Sequence, residues 1–127
     1  MTVTTVTVHR GTRQIGGSCV EVETDGQRLI LDLGLPLVAP GGEEIRRDRL
    51  VAGPALVAGG IAPDVAGLYA WQEPDVSAVV LTHVHPDHAG LGAYVHPRVP
   101  VYATRGTLAL LDVSAVFLRG AVPPANR

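Results

Sequence analysis

The sequence of 127 residues holds one cysteine, one tryptophan, one phenylalanine and no lysine. A lone Cys19 excludes an internal disulfide and any zinc site built from several thiolates, and it fits a reducing compartment, so the cytoplasm is the expected location. No run of about eighteen apolar residues occurs, and the opening MTVTTVTVHRGT lacks the apolar core of a secretory signal, so neither a membrane span nor an export signal is expected. Charge of one sign is also scarce: 10 basic residues, all arginine, stand against 12 acidic ones, for a net charge of -2. That balance excludes a broad basic surface, and a polyanionic partner would need another source of positive potential. With 46% hydrophobic and 17% charged residues, disorder is excluded and the length suits one domain.

The segment 2–9 sets Val3, Val6 and Val8 among threonines and reads as a strand. Residues 11–18 contain three glycines and form a loop. Cys19-Val20-Glu21-Val22-Glu23 alternates apolar and acidic residues, Asp25-Gly26 is a favoured two-residue turn, and Arg28-Leu29-Ile30-Leu31-Asp32 returns, which predicts a hairpin. Residues 34–74 are punctuated by Gly and Pro and are expected to be either a binding loop or poorly ordered. A short helix over 43–50 is supported by Glu43 and Arg47 four apart, and Tyr69 and Trp71 are expected to anchor the loop on the body. Further on, the pattern predicts a buried strand over 77–81, a helix over 87–95, a strand over 99–103 and an apolar helix over 106–118. A hairpin followed by a β-α-β-α series indicates an α/β mixed sheet flanked by helices.

Three of the five histidines fall within six residues, His83-Val84-His85-Pro86-Asp87-His88. His83 and His85, two apart at the carboxyl end of a strand, leave the same face and can converge on one ion. Pro86 breaks the strand, so Asp87 and His88 at the start of a helix can serve a neighbouring position. Imidazole with carboxylate suits zinc, and also manganese or iron, better than calcium or magnesium. His9 has no such pattern, His96 reads as a helix C-terminal charge, and Asp112 reads as a carboxylate on a helix surface.

Thr82-His83-Val84-His85-Pro86-Asp87-His88-Ala89-Gly90 resembles the T-H-x-H-x-D-H-x-G signature of metallo-β-lactamase-fold hydrolases, and Asp32 in Leu31-Asp32-Leu33-Gly34 matches the first motif of that superfamily. The resemblance implies a four-layer αββα sandwich with two divalent metal ions, zinc first and manganese second. His83 and His85 would hold the first ion, Asp87 and His88 the second, with Asp32 fixing a ligand or the bridging water. Residues 11–18 with the strand that follows are similar to the G-x-x-E-I-G-G-[NS] opening of ribonuclease J-like β-CASP nucleases, with Gln14 in place of the usual glutamate, and the loop 64–69 is similar to one those nucleases carry. That branch implies hydrolysis of RNA or another phosphodiester by a metal-bridged hydroxide, with Asp87 orienting the nucleophile. The metals would also supply the positive potential that the composition lacks.

The superfamily's later ligands, a third histidine, a bridging aspartate and a final histidine, have no counterpart after His88, and the β-CASP insert is absent. Residues 1–127 are therefore expected to be the N-terminal portion of a metallo-β-lactamase domain, with an exposed apolar sheet face that drives self-association or pairing with a missing second half. The alternative to a hydrolase is a non-catalytic metal-binding remnant or interaction module. Among enzymes, a thioesterase or lactonase shares the histidine motif.

Overall fold

A computed structural model describes all 127 residues. Strands β1 (Thr4–Arg10), β2 (Cys19–Thr24), β3 (Gln27–Leu31), β4 (Ala78–Val80) and β5 (Val101–Tyr102) form one sheet in chain order. β1, β2 and β3 pair antiparallel, whereas β3, β4 and β5 pair parallel. Helices α1 (Ala55–Ala58), α2 (Pro86–Ala89) and α3 (Arg105–Phe117) complete the α/β architecture, with 3-10 turns at Arg47–Arg49 and Gly92–Tyr94.

The hairpin closes where the sequence places it. Asp25 and Gly26 both take positive φ, 48° and 74°, as a twisted two-residue turn requires, and Val22 pairs with Leu29. α3 opens on Thr104, whose hydroxyl accepts the Thr107 N–H at 3.2 Å.

Two predicted helices are corrected. Residues 43–50 contain only the turn Arg47–Arg49, because a Gly41-Gly42 turn folds Val38 against Glu44 and because Arg46 pairs with Asp48. The predicted helix over 87–95 stops at Ala89: the Leu91 N–H donates to the Leu33 carbonyl at 3.1 Å and leaves the helical ladder. The strand over 77–81 is also shorter, since the Thr82 N–H is captured by the Asp32 carboxylate.

The two faces of the sheet have opposite surroundings. One carries Cys19, Glu21, Ile30, Val79 and Val101, all buried in a core with Leu33, Leu68, Tyr69 and Leu91. The other carries Val6, Val8, Val20, Val22, Leu29, Leu31, Val80 and Tyr102, all exposed or half-exposed. Residues 34–74 are packed rather than loose: Leu35, Leu56, Ala62, Val65, Leu68 and Tyr69 belong to the core. Tyr69 stacks on Trp71 with ring centroids 4.7 Å apart and donates its hydroxyl to the Pro63 carbonyl within the loop, while backbone bonds from Ala70 to Tyr94 and from His96 to Leu68 tie the loop to the body. No helix is long and apolar enough to cross a membrane.

Candidate metal centre

Asp32 follows β3 and takes the left-handed conformation, φ 63°, which an aspartate tolerates better than most residues. Its N–H remains in the sheet, donating to the Val80 carbonyl at 2.9 Å, so the carboxyl ends of β3 and β4 are locked together. The buried carboxylate accepts the Thr82 N–H on Oδ1 at 2.8 Å and the Thr82 hydroxyl on Oδ2 at 2.8 Å. Oδ2 also lies 2.9 Å from His88 Nδ1.

These contacts fix two imidazole tautomers. A carboxylate only accepts, so His88 Nδ1 carries a proton, and in the neutral ring its Nε2 lone pair is free. Thr82 has one hydroxyl proton and gives it to Asp32, so its oxygen can only accept from His83 Nδ1, at 2.9 Å. His83 Nε2 is therefore free as well. One buried carboxylate thus prepares two histidines to ligate through Nε2, the arrangement that orients metal-bound imidazoles generally.

The histidines themselves lie in the loop after β4 rather than on its last residues, as the sequence had suggested, because pairing ends when Asp32 captures Thr82. They still converge. The His83 ring is 4.2 Å from that of His88 and 4.9 Å from that of His85. Donor atoms of Asp32, His83 and His88 lie within 4.8 Å of one another, a group able to hold a divalent metal. Since the Asp32–His88 separation in that group is a hydrogen bond, the free donors left in it are the imidazole nitrogens of His83 and His88; the predicted ligands His85 and Asp87 lie outside the group, beside His83 and His88 respectively. His88 Nε2 is 3.5 Å from Asp87 Oδ2. That gap is long for a hydrogen bond, and it matches the roughly 3.4 Å that separates two ligand atoms at about 2.1 Å from a tetrahedral zinc. The donor set and this spacing suit a divalent metal.

The loop carrying these residues is laced to its neighbours through the backbone. Leu33 and Leu35 donate to the carbonyls of His88 and Pro86, Ser18 donates to that of Asp87, and Gly34 donates to that of Ser18. Gly34 must be glycine here, because a Cβ would lie 1.7 Å from the Asp87 carbonyl oxygen. Arg10 completes the lacing: its guanidinium donates to the carbonyls of Gly17, Gly34, Gly60 and Ile61, joining the glycine loop, the Asp32 loop and the long loop.

Arg10 escaped the sequence reading, since a lone arginine before a glycine loop has no pattern. So did a second polar cluster on the covered face of the sheet. There Glu21, almost fully buried, accepts from Arg28 at 2.6 Å and pairs with His9 at 2.7 Å. The Arg28 hydrogen bond holds the Glu21 carboxyl below the usual carboxylate range, against the opposing effect of burial. Register could have exposed the cluster, because Glu21 and Arg28 fall on one face of the hairpin. His96 differs from its predicted role: no helix ends there, and its Nδ1 accepts the Arg98 N–H at 3.0 Å within a turn. Asp112 sits on the exposed side of α3 and pairs with Arg127.

The family model of the metallo-beta-lactamase superfamily matches residues 12–105, a span that includes both Asp32 and the histidine motif. The chain belongs to the metallo-beta-lactamase superfamily. It is 28% identical over 106 residues to an RNase J-like protein of Methanocaldococcus jannaschii, covering 84% of this chain and 19% of that protein. It is 32% identical over 104 residues to a ribonuclease of Thermus thermophilus, covering 80% of this chain and 19% of that protein. A crystal structure of a protein of unknown function from Enterococcus faecalis superposes on all of this chain and on 33% of its own, with a TM-score of 0.68 at 23% identity, which shows the shared fold. The chain therefore spans about a fifth of the length of the curated relatives it matches.

Proposed function

We propose that this chain contributes a metal-binding part of a metal-dependent hydrolase acting on phosphodiesters, RNA foremost, in the manner of the ribonuclease J-like branch. The observation that carries the reading is the tautomer relay: Asp32 prepares His88 directly and His83 through Thr82, leaving both Nε2 atoms free, that of His88 beside Asp87. His83 and His85 would hold one divalent ion and Asp87 and His88 a second, with zinc favoured and manganese next by the donor chemistry. Such ions, when bound, generate hydroxide near neutral pH and stabilise charge on the scissile group. The chain's own residues do the positioning. Asp32 holds the imidazoles, the Gly34 and Ser18 backbone fixes the loop that carries Asp87, and the Asp87 carboxylate would orient the attacking water. The ribonuclease names of two relatives support a nucleic-acid substrate over a thioester or lactone. The reading places the protein in the cytoplasm. It also has the uncovered sheet face associate with a second copy when the chain is alone.

Turnover tests this reading. With zinc or manganese, the purified chain should cleave single-stranded RNA or a chromogenic phosphodiester in preference to a thioester or lactone, and His85→Ala should abolish the cleavage. A second reading, a metal-binding module without catalysis, is favoured by the presence of only one group of clustered potential ligands in the chain. Tight metal binding with no turnover of any of these substrates would select it.

A further inference from the structure

Of the ten arginines, only Arg10, Arg28 and Arg47 are half-buried, and they differ in what they meet. Arg10 is spent on four backbone carbonyls and Arg28 on Glu21 and on the carbonyls of Ala66 and Asp75. Arg46 is paired with Asp48. Arg47, next to it, turns inward and is half-buried, yet it is satisfied by no carboxylate and no carbonyl; burial pushes its pKa down with only the Tyr94 hydroxyl opposing. Its backbone is held in place from the other side: a Cβ on Gly120, which has φ 72°, would lie 2.7 Å from the Arg47 carbonyl carbon and 2.6 Å from the Asp48 nitrogen. A charge kept partly out of water without a partner is costly unless something anionic visits it.

The space Arg47 faces is a cavity of about 160 Å³ between α3 and the metal-motif loop, lined by Arg47, His85, Ser114 and the apolar side chains of Pro86, Leu111 and Leu118. No carboxylate lines it. A second hollow, bounded by Asp48, Leu50 and Tyr94, meets it at Arg47, Gly90 and Val122, and its one carboxylate is already paired with Arg46. The cavity is therefore cationic in a chain of net negative charge, and it shares His85 with the candidate metal centre.

We propose that this cavity is a phosphate subsite, in which Arg47, with the Ser114 hydroxyl, holds a phosphate of the substrate beside the one that meets the metal centre. The inference rests on the phosphodiesterase reading above. It adds where the neighbouring phosphate sits and which residue selects for it. A guanidinium presents a fork of N–H donors to phosphate oxygens, and a hydroxyl from a different element adds a donor out of the guanidinium plane, which suits a tetrahedral anion better than a planar carboxylate. The apolar walls lower the local dielectric and strengthen the contact.

The test titrates the full chain with inorganic phosphate, with a dinucleotide whose only phosphate is the internal diester, and with acetate, in chelator-treated buffer, following backbone and arginine side-chain NMR signals. Both phosphate probes should shift Arg47, Ser114 and Leu111, and acetate should bind at least tenfold more weakly. Arg47→Ala should weaken phosphate at least tenfold, Arg47→Lys by less, and Leu111→Trp, which fills the cavity, should also abolish the shifts. Zinc affinity of Arg47→Ala should stay that of the parent, so a failed subsite and a failed metal centre give different results. The proposal is overturned if phosphate shifts lie elsewhere, if acetate binds as well as phosphate, if Arg47→Ala binds phosphate unchanged in a folded chain, or if neither phosphate probe shifts the cavity at millimolar concentration.

Discussion

Strand β2 contributes to both faces of the sheet, and the two faces could hardly be more different. Glu21 points into the covered side, 5% exposed, while Val20 and Val22 of the same strand point to the uncovered side. A carboxylate is inside and valines are half outside. The covered face tolerates Glu21 because Arg28 and His9 meet it at hydrogen-bonding distance. The uncovered face, with Val6, Val8, Leu29, Leu31, Val80 and Tyr102, buries no charged group, and its polar members Thr4 and Thr24 meet each other at one end. Alternation along a strand defines two faces but does not say which will be buried. That depends on what the rest of the chain can place over each.

The comparison can be broken most severely at Glu21. Glu21→Ala leaves the half-buried Arg28 and His9 without their shared carboxylate, Arg28 keeping only Ala66 and Asp75, and the expected loss is about 1–3 kcal/mol in a urea titration. Val22→Thr, one residue away on the other face, should cost less than about 1 kcal/mol, and equal losses would show that the two faces are covered alike. Asp32→Ala should lower zinc affinity by about 10–100-fold by calorimetry, because both imidazole tautomers lose their anchor. It is the polar counterpart of the same lesson, a buried carboxylate retained for the groups it holds.

The pH dependence sharpens the contrast further. Glu21 has its pKa lowered in the folded chain by Arg28, so its contribution is complete above the ordinary carboxylate pKa of about 4.3 and is lost as pH falls through the lower folded value. Glu21→Gln should flatten the acid limb of the stability profile in that window, whereas Val22→Thr should leave the limb in place. On the uncovered face, Val22→Lys should shift the gel-filtration mass toward the 13.3 kDa monomer relative to the parent chain. An unchanged elution volume would show that this face does not mediate association. The smallest effect concerns Cys19, on the covered face, whose thiol burial pushes up to about 12. Alkylation of the folded chain at pH 8 should be far slower than in urea.

Much of the site was legible because its chemistry is local. Six consecutive residues carry three imidazoles and a carboxylate, and Asp32 follows the strand of a hairpin whose turn is written in Asp25-Gly26. The divided helices were less legible. Glu43 and Arg47 have helical spacing, but Asp48 takes Arg46 and Arg47 turns inward, and the Leu91 N–H is drawn away by a carbonyl 58 residues earlier in the chain, that of Leu33. Thr82 was read only as the first residue of the motif. Its place between Asp32 and His83 depends on a contact across 50 residues that spacing does not encode.

The central claim is that one carboxylate, Asp32, sets two histidines to bind metal through Nε2. The most direct measurement is a long-range ¹H–¹⁵N spectrum of the imidazole rings of the chain, recorded without metal and through a zinc titration. The account predicts that His83 and His88 are Nδ1–H tautomers before zinc is added, that zinc shifts their Nε2 resonances while both Nδ1 protons remain, and that Asp32→Ala scrambles the tautomers. Protonation at Nε2 in the metal-free chain, or zinc entering at Nδ1 of His88 with loss of the Asp32 hydrogen bond, would contradict it.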